Sequence, residues 1–214
     1  MSRNFSPCCL SASLCMGAAV LLICCVACST TRASRISASS QAEFSSYPKA
    51  DLSSAEKAVI KALMEDQFKY ERRRNKMVVL SELTDDHGLS KTLDQRKVWD
   101  STEAEMFREF KRINEKPFRL TELSSLRIKM HLLSIQDARA IWSAVDDWER
   151  FRRRFPLATC HVTISRAAFS ADGKTALIYM GSSIDGLAGT GHIYHLHRRF
   201  GWWRVAERSV VWIS

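Results

Sequence analysis

The clearest alternation of apolar and polar positions lies near the carboxy terminus. Side chains alternate at 160–165, and an unbroken apolar run follows at 176–180. Alternation with a period of two is typical of a strand with one buried face, and an unbroken run is typical of a strand covered on both faces. Gly173 and Gly201 stand between such segments, where hairpin turns favour glycine. The pattern predicts an antiparallel meander of about four strands.

Upstream of this meander the apolar residues recur at spacings of three and four, which is the helical period. Ser53 and Glu56 form a capping-box pattern before the first such segment, and Ser134 can cap a later one. A strictly alternating stretch at 126–132 predicts a further strand. The sequence therefore predicts an α+β fold, in which about three helices cover one side of an antiparallel sheet that ends in a β-meander.

The amino terminus has the composition of an export signal. Arg3 is the only charged residue among the first 31, and 14–28 is apolar or small throughout. A positive start, a short hydrophobic core and small residues are the layout of a secretory signal peptide. The residues before Cys28 resemble a bacterial lipoprotein cleavage site, so we expect 1–28 to be a lipoprotein-type signal peptide and Cys28 to carry the lipid. Cleavage nearby without lipid and an uncleaved membrane anchor are the alternatives.

The next segment, 29–50, is rich in serine and poor in large apolar side chains. Such a composition cannot bury enough surface to offset chain entropy, which predicts a flexible tether. A single domain at 51–214 would follow. The expected location is the cell envelope, with the protein on a bacterial membrane and facing the periplasm.

The formal net charge is +9, and six of the seven cysteines lie in the first 28 residues. A basic surface favours anionic lipid, an acidic polymer or nucleic acid. Because export separates the chain from nucleic acid, we expect no nucleic-acid partner. Attachment to anionic lipid or an acidic polymer through the arginine runs at 72–74 and 152–154 is a further possibility. The remaining cysteine, Cys160, falls in an alternating strand and is expected to be a small buried hydrophobe.

Ser165 and Arg166 are the polar residues of the predicted sheet that most need an explanation. Arg166 shares the alternation of Val162, which predicts a partly buried guanidinium. A buried charge requires a partner, and we expect an acid such as Glu207 or Asp185 nearby. A structural ion pair and an anion-binding site are the two interpretations of Ser165 and Arg166.

Three histidines are the candidates for a metal site. His195 and His197 are two residues apart, so they share a strand face, and His161 on another strand could supply a third ligand. Exposed or half-buried histidines without metal are the default interpretation. The glycines within 186–191 could be taken for a phosphate loop, but such loops precede a helix, and here a strand follows. They are interpreted as glycines of a hairpin turn.

Several short segments together resemble a family of bacterial exported proteins and lipoproteins that has no established activity. Its members carry similar S-R-x-x-F, A-L-x-Y-x-G and G-x-G segments and end in W-x-S. The corresponding segments of this chain are 165–169, 176–181, 189–191 and 212–214. The resemblance implies an exported protein. Many members carry a cysteine pair in the glycine-rich loop, where this chain has Ile184 and Ala188, so that disulfide is not expected.

These patterns favour a binding or structural function over an enzymatic one. The sequence contains no nucleophile elbow and no cofactor motif, which leaves enzymatic activity open but disfavoured, and no cofactor is expected. We expect a non-enzymatic binding or structural module of the envelope, attached to the membrane through its lipid. The competing hypothesis is a metal-binding protein or a hydrolase that uses the face of His161, His195 and His197.

Overall fold

Helices and strands alternate in the first half of the domain, and strands dominate the second half. The computed structural model describes residues 47–49, 51–85, 101–121, 123, 126–143 and 145–214. The helices are α1 (Ser54–Gln67), α2 (Lys69–Arg73), α3 (Ser101–Ile113), α4 (Ile135–Trp142) and α5 (Asp147–Arg154). The strands are β1 (Met77–Ser81), β2 (Lys129–Leu133), β3 (Ala158–Ile164), β4 (Ala168–Phe169), β5 (Thr175–Asp185), β6 (Ala188–Arg199) and β7 (Trp202–Ile213). All of these elements belong to one compact unit.

Helix α1 begins at the capping box that the sequence predicts. The Ser53 hydroxyl accepts a hydrogen bond from the Glu56 N–H at 3.1 Å, and the Glu56 carboxylate accepts one from the Ser53 N–H at 3.0 Å. Both bonds satisfy N–H groups that have no partner inside the helix. The apolar face of α1 is fully buried and consists of Val59, Ile60, Leu63 and Met64.

The sheet has seven strands in the order β2-β1-β3-β5-β6-β7, with β4 also paired to β5. Strand β1 runs parallel to both β2 and β3, and all other pairs are antiparallel. The α+β class and the carboxy-terminal meander of β5, β6 and β7 are confirmed. The sheet is mixed and not wholly antiparallel as predicted, since β1 is parallel to both of its neighbours. Parallel neighbours need a crossover connection, and the connections here contain helices α3, α4 and α5.

Helices cover both faces of this sheet, so the prediction that they lie on one side is wrong. Helix α1 packs on the face that carries Val78, Val162 and Ile178. Helix α3 packs on the opposite face against Leu177, Tyr179 and Ile193. Helices α4 and α5 cover the same opposite face at Val79 and Leu133. The central strand β5 is apolar on both faces for this reason, as its unbroken apolar run predicts.

Strands β3 and β4 form one interrupted strand along the same edge of β5. Ile164 of β3 pairs with Met180, and Ala168 of β4 pairs with Leu177. The three residues between them, 165–167, leave the regular ladder. This interruption places the polar Ser165 and Arg166 between β3 and β4, alongside β5.

The predicted export and attachment segments fall largely outside the described residues. These are the signal peptide at 1–28, Cys28 and most of the tether at 29–50, which stay predictions. In the part of the chain that the structure describes, no helix is both long and apolar enough to cross a membrane.

Candidate functional site

Ser165 replaces a missing ladder contact with its own side chain. Its hydroxyl accepts a hydrogen bond from the Tyr179 N–H at 2.9 Å and donates one to the Arg166 carbonyl at 2.9 Å. Its backbone N–H donates to the Tyr179 carbonyl at 3.1 Å. Because Ser165 is fully buried and its hydroxyl is used in both directions, it holds the interrupted strand against β5.

The Arg166 guanidinium forms a two-point ion pair with Glu56. Nε of Arg166 lies 2.9 Å from Oε1 of Glu56, and Nη2 lies 3.1 Å from Oε2. The side chains are 23% and 5% exposed, respectively, so the pair is largely shielded from water. The guanidinium also lies over the ring of Phe118, at 5.1 Å from its centroid. Glu56 therefore caps α1 and neutralises Arg166 with the same carboxylate.

The acids expected beside Arg166 are not its partners. Glu207 lies on β7 opposite His195, and Asp185 lies at the far end of β5, next to the connection to β6. Arg166 follows β3, at the end of the sheet that α1 approaches with its first turn. The prediction named acids of the sheet, whereas the partner, Glu56, comes from a helix 110 residues earlier in the chain.

Asn114 fixes the backbone of Arg166 and was not singled out by the sequence. Its side-chain oxygen accepts from the Arg166 N–H at 2.8 Å, and its amide nitrogen donates to the carbonyls of Arg166 at 3.2 Å and Phe110 at 2.9 Å. Asn114 is buried and follows directly after α3. It ties the end of α3 to the interrupted strand. We refer to Glu56, Asn114, Ser165 and Arg166 together as the Arg166 junction.

A cleft of about 410 Å³ opens over the Arg166 junction. It lies between the start of α1, the end of α3 and strand β4. Its walls combine charged, aromatic and small side chains from Ser53, Glu56, Glu109, Arg112, Ile113, Phe118, Arg166, Ala167, Ala168 and Phe169. A second cavity of about 440 Å³ adjoins it and shares Glu109, Arg112 and Phe169 as lining residues. Cavities of this size are typical of ligand sites.

The charges that line the first cavity cancel one another. Arg112 binds Glu109 through two contacts of 2.7 Å, and the Arg112 guanidinium holds the pKa of the Glu109 carboxyl below its usual value. The second pair is Arg166 with Glu56. With two acids and two arginines the wall has no net positive charge, which disfavours the anion-binding interpretation of Ser165 and Arg166.

The three candidate histidines do not meet at one point. His161 on β3 is paired with Ser183 on β5, and Ser183 is paired with Gly189 on β6. His195 lies six residues further along β6 than Gly189. That separation corresponds to roughly 20 Å along the strand, so His161 cannot share an ion with His195 and His197. Among the described residues no group of three potential ligands is placed to hold a metal ion.

His161 and His195 each pack against aromatic rings instead. The ring of His161 lies 5.2 Å from that of Trp142 and 6.2 Å from that of Phe151. His195 lies edge-on to Phe107 at 6.2 Å, and burial lowers the pKa of its imidazole below the usual value. Both histidines therefore contribute to the contacts between the sheet and the helices that cover it.

The motif residues of the meander form one packed cluster. The indole N–H of Trp212 donates to the Tyr179 hydroxyl at 2.8 Å. The Trp212 ring lies over two glycines, since an added Cβ would approach the ring to 3.0 Å at Gly189 and 2.1 Å at Gly191. At Gly181 an added Cβ would lie 2.8 Å from the Tyr179 hydroxyl. The glycines make room for the two aromatic side chains.

This packing corrects the interpretation of the glycine-rich segment. Gly189 and Gly191 lie inside β6 and neither has a positive φ, so they are not turn residues; the connection between β5 and β6 consists of Gly186 and Leu187 alone. Burial raises the pKa of the Tyr179 phenol to about 12, which keeps it protonated as a hydrogen-bonding group.

Cys160 is the buried hydrophobe that the sequence predicts. It is free, and burial raises the pKa of its thiol to about 11. A thiol that stays protonated at neutral pH is a poor nucleophile.

The two arginine runs are less available for an acidic partner than their sequence implies. In α5, Arg153 contacts Asp146 at 2.8 Å and Glu149 at 3.2 Å. In the first run, the Arg74 guanidinium lies 4.6 Å from the centroid of the Tyr70 ring. Arg154 lies 3.8 Å from Asp137 of α4, so each run has at least one arginine that interacts within the protein.

No protein-family model matches this chain, and no curated protein and no solved structure is similar enough to be matched to it. The resemblance to exported bacterial proteins therefore stays a prediction.

Proposed function

We propose that this chain is an exported bacterial envelope protein, lipid-anchored through Cys28, that binds a ligand in the cleft over the Arg166 junction without changing it chemically. The observation that carries the proposal is that the polar groups beneath the cleft are already bonded to other groups of the fold. Ser165, Asn114 and the Arg166–Glu56 pair are all engaged in bonds that hold the fold. They shape the floor of a binding surface.

The ligand class follows from the strand that borders the cleft. Ser170 donates its N–H to the Thr175 carbonyl, and neighbouring residues of an antiparallel pair alternate between facing the partner and facing away. The backbone groups of Phe169 therefore point away from β5. An extended peptide segment can pair with such a strand edge, and a wall with both charges and aromatic rings suits mixed side chains.

A displayed library of random peptides, selected on the purified protein, tests this proposal. The strongest peptide is then synthesised and titrated calorimetrically against the wild type and against Arg112→Glu. Arg112 lines both cavities and is exposed, so its reversal changes the wall with little effect on the core. We expect about a tenfold loss of affinity, as for one charge-assisted hydrogen bond.

The matched control is Arg208→Glu, an equal charge change on β7 outside the cleft lining, which should leave the affinity unchanged. Equal binding by the Arg112→Glu protein would contradict the cleft as the site. Turnover of ester, peptide or phosphate substrates that a single serine or histidine substitution abolishes would contradict the non-enzymatic function.

The metal or hydrolase alternative has less support. It depends on His161 acting with His195 and His197, and the strand register separates them. A stoichiometric metal content in the purified protein would revive it.

A further inference from the structure

The turn between β6 and β7 carries two exposed aromatic side chains at the end of the longest hairpin. Phe200 is 99% exposed and Trp202 is 74% exposed. The turn consists of Phe200 and Gly201, with φ values of 50° and 82°. We refer to residues 198–204 as the β6–β7 tip.

Phe200 is an unfavourable residue for this turn. Both central positions of a tight hairpin with positive φ favour glycine, asparagine or aspartate, and a bulky side chain there is an outlier. Its ring is in solvent, so it gives nothing to the core in exchange. Strain that the fold does not use indicates a role in contact with something outside the chain.

The neighbouring tryptophan shows that the tip is firmly attached. Trp203 is buried, and its ring lies 5.7 Å from that of Phe169. Successive strand residues point to opposite faces, so the anchoring of Trp203 directs Trp202 outward. Trp203 therefore anchors to the core the strand that presents Trp202 to solvent.

Three arginines that have no acidic partner among the described residues stand beside the exposed aromatic side chains. Arg198, Arg199 and Arg204 are all exposed, and none of them forms an ion pair with a described residue. The Arg198 N–H donates to the carbonyl of Lys174, which brings a further cation beside the tip. A nearby acid, Asp172, bonds to Ser170 and lies 3.8 Å from the Lys174 ammonium. The exposed His197 completes the titratable groups on this end of β6.

We propose that the β6–β7 tip binds the surface of an anionic phospholipid membrane, with Phe200 and Trp202 in the headgroup region and the arginines on lipid phosphates. The exposed rings stand at the end of a turn. A membrane interface can take up such rings without a pocket of complementary shape. Tryptophan side chains partition to that interface, and arginines near it are attracted by anionic headgroups. The exposed side chains of the tip do not line the cleft, and this proposal does not depend on the proposed ligand.

Co-sedimentation with vesicles of phosphatidylglycerol and phosphatidylcholine in equal parts tests the proposal. The full chain carries Cys28→Ser in every sample, which removes the predicted lipid attachment, and any contribution of residues 1–28 is common to all variants. The first variant replaces Arg198, Arg199 and Arg204 with glutamine. We expect a loss of about fivefold in the partition coefficient per arginine, and thus on the order of a hundredfold for the three.

The second variant, Phe200→Asn with Trp202→Ser, keeps every cation and a turn sequence that hairpins favour. Its partition coefficient should fall at least about tenfold, because the two rings proposed to enter the headgroup region are gone. The matched control is Leu187→Ala at the β5–β6 connection, where an 87% exposed apolar side chain stands without arginines. It should partition like the parent chain.

Two results would overturn the proposal. The first is equal partition of all variants, which would assign vesicle binding to another part of the chain. The second is binding of soluble polyglutamate that requires the arginines and is indifferent to Phe200 and Trp202, which would identify an acidic polymer as the partner. Protection of the 198–204 amides from hydrogen exchange on vesicles, and its absence on pure phosphatidylcholine, would support the lipid surface.

Discussion

Arginines are used in opposite ways at the Arg166 junction and at the β6–β7 tip. At the junction the guanidinium is largely buried, paired at two points with Glu56 and stacked over Phe118. At the tip three arginines are exposed, have no acidic partner among the described residues and stand beside exposed rings. A buried charge must be paired to be tolerated, whereas an exposed one has no such requirement. The difference separates a region that holds the fold from a region free to contact a partner.

The same contrast holds for the aromatic residues. Tyr179 and Trp212 bond to each other over glycines that leave room for them. Phe200 occupies a position where glycine would be easier and contacts solvent. Substitutions should therefore lower stability in the first region and leave it unchanged or raise it in the second.

The largest effect is expected for Glu56→Gln at the junction. It leaves the largely buried Arg166 without its counter-charge, so the free energy of unfolding should fall by about 3 kcal/mol in a urea titration. The matched control is Glu109→Gln, whose partner Arg112 is exposed, and its loss should stay below about 1 kcal/mol.

Adding Arg166→Met to Glu56→Gln sharpens the test. With both charges gone, part of the lost stability should return, and the double-mutant cycle should show a large coupling. Equal small losses for Glu56→Gln and Glu109→Gln would mean that the junction is no more than a surface ion pair.

Gly191→Ala should have the next largest effect. The new methyl group would lie 2.1 Å from the indole nitrogen of Trp212 and displace the ring from Tyr179. We expect a loss of about 2 kcal/mol by overpacking, measured by thermal and urea unfolding. In a Trp212→Ala background, Gly191→Ala should lower the unfolding free energy only slightly further. A further loss of about 2 kcal/mol there would show that the methyl group does not act through the Trp212 ring.

Phe200→Asn should act in the opposite direction. Asparagine tolerates positive φ, so the unfolding free energy should rise by up to about 1 kcal/mol while vesicle binding weakens. Phe200→Ala removes the ring but keeps the backbone strain, so it should weaken binding without the same gain in stability. A loss of stability in Phe200→Asn would show that the ring contributes to the fold, which would remove the contrast between the two regions.

Much of the fold can be predicted from local pattern. The unbroken apolar run of β5, the alternation of β3 and the capping box at Ser53 are each contained in a few consecutive residues. The parallel pairing of β1 cannot be found this way, because it depends on which strand a crossover reaches. The helices on the second face follow from those same crossovers.

The junction shows the same limit. The sequence identifies Glu56 as a capping residue and Arg166 as a partly buried cation, and the structure joins them across 110 residues. Asn114 gives no local signal, since an asparagine after a helix is commonly a helix terminus. The role of Gly191 depends on its register opposite Trp212, which residue spacing does not encode.

The smallest effect is a dependence of stability on pH. It comes from His195, which is buried between the sheet and α3. Burial lowers the pKa of its imidazole, against the opposing influence of the carboxylates of Glu103 and Glu207. A histidine whose folded pKa is lowered takes up a proton in the unfolded state first. The unfolding free energy should therefore be constant above the unfolded pKa of about 6.5, fall as the pH drops through it and level off below the folded pKa.

Urea titrations between neutral and mildly acidic pH would measure this slope. His195→Gln should reduce it, and a remainder should persist because burial, together with the charge of Arg208, also lowers the pKa of His192. An NMR titration that places the His195 pKa at or above its usual value would contradict the assignment, and the slope would then have to come from carboxylates. A lowered pKa, together with a smaller slope in His195→Gln, would show that the folded protein keeps this imidazole neutral, as its burial beside the Phe107 ring of α3 predicts.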